Sequence, residues 1–213
     1  MMSRLLSLPL IFCLFQGGAL LANELAETGT DEFDAAVLAV HEKDYRNALL
    51  LFRPLAEGDA ADAQFNLALL VKAGLGQPRN YTDAYYWAVL SDLGREHRAK
   101  RMVEELGSLL PAETLTGVHE RILNRLRKQL EEGRADAILK YARMQAEFMA
   151  EPDLEQAYVW YSIAQALGQR GGFEGSASVA EQLEMDALIT AQNVALGVFE
   201  QSVFSETGEA PTN

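Results

Sequence analysis

Two stretches of this chain repeat each other about 74 residues apart. The first runs from Gly58 to Gly94 and the second from Gly133 to Gly168. Aligned, they set Ala63 against Ala137, Ala68 against Ala142, Ala84 against Ala157 and Trp87 against Trp160. A unit this short cannot bury its apolar face alone, so neighbouring units must stack. The expected fold is therefore all-α, a right-handed α-solenoid of stacked helical hairpins. The usual work of that architecture is to hold a partner.

The first residues stand apart from the repeats. Arg4 precedes an almost wholly apolar run from Leu5 to Phe15, and small residues follow up to Ala22. A charged start, a short apolar stretch and small residues read as a secretory signal peptide over 1–22, cleaved after Ala19 or Ala22. The run is too short for a membrane span of about 20 residues. The protein is then expected to be periplasmic or secreted, with no stable span after cleavage. The one cysteine, Cys13, lies in this segment. The mature chain would have no thiol for a disulfide, a thiolate metal site or a nucleophile. Losing Arg4 leaves 17 basic residues against 31 acidic ones, a formal charge of −14. That balance opposes nucleic-acid binding, which needs Lys and Arg to displace counterions.

From residue 31 to 203 the pattern is helical, rich in Ala, Leu, Glu, Gln and Arg, with no sustained strand-like alternation. Helices are expected over 31–41 and 46–57, with Pro54 kinking the second or marking its last turn. The first copy follows as helices from Ala60 to Lys72 and from Asn80 onward, joined by a turn holding Gly74 and Gly76. Asn80 is placed to cap the second of these, with Asp83 reaching back. The second copy keeps the device as Asp153 and Gln156 but lacks the glycines, so its turn must be built differently. Helices are also expected over 96–106, 111–132, 177–182 and 186–203. Residues 169–176, rich in glycine, read as a break. In domain terms this gives hairpins over about 31–57, 58–94 and 133–168, with extra helices over 95–132 and 177–203. The polar tail 204–213 is expected to be disordered.

The repeated residues resemble the Sel-one-like repeat family of the tetratricopeptide-repeat superfamily. The first copy carries Ala63, Leu67, Ala68, Gly74, Gly76, Ala84, Trp87 and Ser91 of that pattern, and the second carries Ala137, Tyr141, Ala142, Ala157, Trp160 and Ala164. Val71 and Gln145 stand where the family usually has Tyr. The resemblance implies a concave groove on the first-helix faces, formed by Phe33, Val37, Asp62, Phe65, Leu69, Lys72, Asp136, Leu139 and Arg143. Phe65 and Leu69 are the expected anchors. The family is defined by packing residues, so the resemblance speaks to fold more than to function.

No catalytic set stands out. His41, His97 and His119 fall on three different expected helices without metal-ligand spacing. Residues 171–175 follow no strand, so they are not a dinucleotide loop. The chain is expected not to be an enzyme and to need no cofactor or metal. One charge pattern remains. Residues 95–128 hold eight of the 17 mature basic residues, and Arg121, Arg125 and Lys128 share one helix face. That face reads either as a dock for an acidic partner or anionic envelope polymer, or as a solubilising surface. On the second reading its charges pair within helices, as Glu96 with Lys100 and Arg101 with Glu105. The leading expectation is an exported protein–protein interaction module, a scaffold or periplasmic regulator that binds an unidentified protein partner. The alternative is an envelope polymer-binding or cell-wall-associated protein using the basic segment.

Overall fold

The computed structural model describes residues 31–202 and 204. The expected signal peptide and nearly all of the expected tail lie outside these residues. Among the described residues every regular element is helical. A helix over 31–41, α1, leads into α2 (Tyr45–Glu57), α3 (Ala61–Ala73), α4 (Tyr81–Leu93), α5 (Ala99–Leu109) and α6 (Ala112–Glu131). Then come α7 (Asp136–Arg143), a π-helical turn (Met144–Phe148), α8 (Leu154–Ala166), α9 (Gly172–Ala180) and α10 (Met185–Gln201).

The duplication covers four helices, not two. α4 packs against α3, α5 and α6, and α8 packs against α7, α9 and α10. A shift of 73 residues carries the start of α4, α5 and α6 onto the start of α8, α9 and α10. At that shift Leu110, Leu115 and Leu123 fall on Leu183, Leu188 and Leu196. The chain is thus an entry pair, α1–α2, followed by two blocks, α3–α6 and α7–α10.

Local rules set the helix ends. Asn80 Oδ1 accepts from the Asp83 amide at 3.0 Å, and the Asp83 carboxylate accepts from Asn80 Nδ2 at 3.1 Å. In the second block Asp153 Oδ1 accepts from the Gln156 amide at 3.0 Å. Pro54 sits in the last turn of α2, where its carbonyl accepts from Gly58. Gly76 has φ 78°, and a Cβ there would meet the Tyr45 carbonyl. The second block replaces this glycine turn with the π-helical turn, and the Asp153 amide donates to the Gln145 carbonyl behind it.

Three expectations are corrected. α5 begins at Ala99, three residues late, because the Glu96 carboxylate accepts from the Arg98 amide and guanidinium and holds a turn there. Those hydrogen bonds hold the Glu96 carboxyl down at about 2. α9 begins at Gly172, inside the supposed glycine-rich break. Gly172 and Gly175 are helical: a Cβ at Gly172 would strike the α8 backbone at Gln165, and one at Gly175 the ring of Tyr161. Only Gly168 and Gly171, at φ 69° and 97°, serve as turn residues. Finally, the two copies are one residue out of step at their entry turns. The left-handed residue is Asp59 (φ 71°) in the first and Gly133 (φ 78°) in the second, so Gly58 and Gly133 are not equivalent.

The core follows the small-residue positions. Ala63, Ala68, Ala84, Ala88, Ala137, Ala142, Ala157 and Ala164 have no exposed surface. Alanine there lets paired helices approach to about 8–10 Å. Trp87 is buried against Tyr86, whereas Trp160 is half-buried, edge-on to Tyr141.

Candidate functional site

The face expected to be a groove is occupied by the protein itself in the first block. Phe65 keeps only 8% of its surface because the Arg98 guanidinium lies over its ring, 4.6 Å from the centroid. Farther along α3, Lys72 pairs with Glu105 of α5 at 2.6 Å. Leu69, on the same face, remains 40% exposed. Phe65 is therefore not an open anchor. Phe33 packs edge-on against Phe52 at 5.5 Å, and Val37 is half-buried. Asp62 is exposed. Asp136 pairs with Arg134 and Lys140, whose hydrogen bonds hold its carboxyl below the usual range against the upward push of burial. Leu139 is half-buried.

Arg143, the last of the expected groove residues, ties the blocks together. Its guanidinium donates to the Asp92 carbonyl at 2.7 Å and to the Asp92 carboxylate at 3.2 Å, and it pairs with Glu147 at 2.8 Å. Beside it opens a cleft of about 750 Å³ between the end of α7, the π-helical turn, α8 and α9. Tyr161, Val179 and Leu154 give it apolar wall, and Arg95, Arg170 and Glu174 give it charge. Burial, reinforced by Glu147, pushes the Tyr161 hydroxyl up to about 12, so it stays protonated.

The cleft is the counterpart of the filled face of the first block. The 73-residue shift places Gly175 where α5 has Met102 and Ser178 where it has Glu105, and the 74-residue shift that aligns Ala63 with Ala137 places Ala146 where α3 has Lys72. Met102 is buried and Lys72 bridges to Glu105, whereas Ala146 and Ser178 line open space and the Tyr161 ring takes the room beside Gly175. One rim is built at a cost. Arg95 is a non-glycine residue at φ 67°, and its counterpart Gly168 sits at φ 69°. The Arg95 guanidinium lies across Gly171, where a Cβ would clash with it, and donates to the Arg170 carbonyl at 3.0 Å.

The expected basic side chains each have a partner within the molecule, while Arg121 and Lys128 stay exposed. Arg121 stacks over the Tyr86 ring at 3.9 Å and pairs with Asp83 at 3.4 Å. Arg125 donates to the Glu57 carbonyl at 2.6 Å and pairs with Asp59 at 3.0 Å. Burial pulls its pKa down, but Asp59 leaves it raised overall. Lys128 pairs with Glu132 at 3.8 Å. The expected pairs Glu96–Lys100 and Arg101–Glu105 give way to Glu96–Arg98 and Glu105–Lys72.

Of the three histidines, His41 and His97 are exposed and His119 lies inside, against Tyr85. Among the described residues no cluster of three His, Cys, Asp or Glu side chains could hold a metal, and no helix is long and apolar enough to cross a membrane. Comparison with family models, curated proteins and solved structures found no match.

The cleft was hidden from the sequence because the copies were aligned only through α4 and α8. The leucines at 110, 115 and 123, with their partners at 183, 188 and 196, carry the register through the remaining helices. With that register, the three large-to-small exchanges can be read directly.

Proposed function

We propose that this chain is an exported α-solenoid of the Sel-one-like type, a protein–protein interaction module of a bacterial envelope that seats a segment of a partner protein in the cleft beside α9. The duplicated helices and family-like residues support the repeat type, and the apolar run before residue 23 supports export. One observation carries the site: two blocks of the same plan differ by a face filled in one and open in the other. A cleft of about 750 Å³ lies within the roughly 300–1,000 Å³ range of ligand pockets, with apolar walls and a few placed polar groups.

The first block supplies the test. Ala146→Lys with Ser178→Glu writes the Lys72–Glu105 bridge into the second block and closes the cleft. Crosslinked affinity capture from the protein's own cell envelope, at low and high salt, compares this variant with the parent. A partner retained by the parent at high salt and at least about tenfold depleted from the variant supports the reading. Equal capture by both overturns the cleft as the site.

A further inference from the structure

Among the described residues, the outer face of α10 leaves large apolar side chains exposed. Leu123 of α6 keeps 8% of its surface, with α7 packed against that helix. Its counterpart Leu196 keeps 58%, and Met185 and Ile189 keep 67% and 49%. The helix α10 thus carries an apolar contact surface. It is also depleted of charge. Two of its 17 residues are ionisable, Asp186 and Glu200, against seven of 20 in α6, besides a histidine.

Met185, Ile189, Gln192 and Leu196 recur at intervals of four, three and four. That is the spacing of a helix–helix seam. It reads the same in both directions, so two such helices laid antiparallel set Met185 of each against Leu196 of the other and Ile189 against Gln192. A seam of this kind is self-complementary, as a two-fold interface requires. At Leu196 the seam occupies the place that Leu123 has on α6, the helix against which α7 packs. Two strongly acidic protomers repel each other over most of their surface. The seam bears no charge and is where they can meet.

We propose that α10 is a dimer interface, and that its occupant is α10 of a second protomer. The proposal is independent of the cleft beside α9. Analytical ultracentrifugation of the full chain tests it, with Leu196→Glu, Ile189→Glu and, as a control, Leu109→Glu. Leu109 is as exposed as Leu196, at 58%, but lies on α5. The expected result is a dimer that the control preserves and that either seam variant weakens about 100-fold, with unchanged helicity. A parent that sediments as a monomer overturns the proposal and gives the seam to another occupant. So does association that survives Leu196→Glu, or an open-ended series of oligomers.

Discussion

The Tyr85 hydroxyl lies 2.9 Å from Nε2 of His119, buried between α4 and α6. Seventy-three residues on, Gln192 Nε2 donates to the Tyr158 hydroxyl at 3.4 Å, between α8 and α10. The same contact is made twice with different chemistry, tighter and buried in the first block, longer and exposed in the second. Only the first version can titrate in the physiological range.

Burial lowers the His119 pKa below its ordinary 6.5, so His119 is neutral in the fold. The unfolded chain then binds a proton more readily than the native one. His119's contribution is therefore fully present above about pH 6.5 and is lost as pH falls through the lowered native value. His119→Gln, the residue that nature places at 192, is expected to keep the tyrosine hydrogen bond. It should fold within about 1 kcal/mol of the parent and flatten this part of the pH–stability curve. His119→Leu strands a buried hydroxyl and should lose about 1–3 kcal/mol at neutral pH. Urea titrations from pH 5 to 8 distinguish them. A slope unchanged in His119→Gln would assign the acid sensitivity elsewhere.

Asp59 joins the entry turns of the two blocks. Its side chain is 5% exposed and accepts from Arg125 at 3.0 Å, Arg134 at 2.8 Å and Gln129 at 2.6 Å. It does so at φ 71°, where aspartate is strained and glycine is not. Asp59→Ala removes the acceptor and keeps the strain, and should cost about 1–3 kcal/mol, chiefly by leaving the half-buried Arg125 without its carboxylate. Asp59→Gly removes the acceptor and relieves the strain, so it should cost about 1 kcal/mol less. Equal losses in urea unfolding would show that the backbone strain there is negligible.

The helices, their caps and the alanine crossings were legible in the sequence because they depend on contacts within one or two turns. The start of α9 was not, since Gly172 and Gly175 break a helix by propensity and are chosen here by close approach to α8 and Tyr161. The groove anchor Phe65 was misjudged for a related reason. Its cover, Arg98, comes from 33 residues away, in the turn before a helix that the sequence placed three residues early. The partners of the arginine face were not legible because its acceptors at Asp59 and Asp83 lie more than 35 residues from it. Pairing at that range follows from packing, not from spacing.

Arg95 carries a conformation that Gly168 adopts freely. Arg95→Gly should therefore leave the fold intact or stabilise it, by about 1 kcal/mol at most, through relief of the left-handed backbone. It also strips the guanidinium from the cleft rim, so partner capture should weaken. Stability and capture moving in opposite directions is the mark of strain kept for function. A variant that loses both would make Arg95 a structural bridge to the Arg170 carbonyl.

The contact between α8 and α9 offers a sharper test of the duplication. In the first block the pair is Ala88 and Met102, both buried; in the second, the large and small partners are exchanged as Tyr161 and Gly175. A Cβ at Gly175 would strike the Tyr161 ring. Gly175→Met alone should be severely destabilising through overpacking. Tyr161→Ala alone should lose about 3–5 kcal/mol by leaving a cavity. Together they rebuild the first block's arrangement, and the double variant should recover at least about 2 kcal/mol relative to the sum of the single losses. Chemical denaturation of the four proteins closes the cycle. Additive losses would mean that the two blocks share a sequence register without sharing a packing solution.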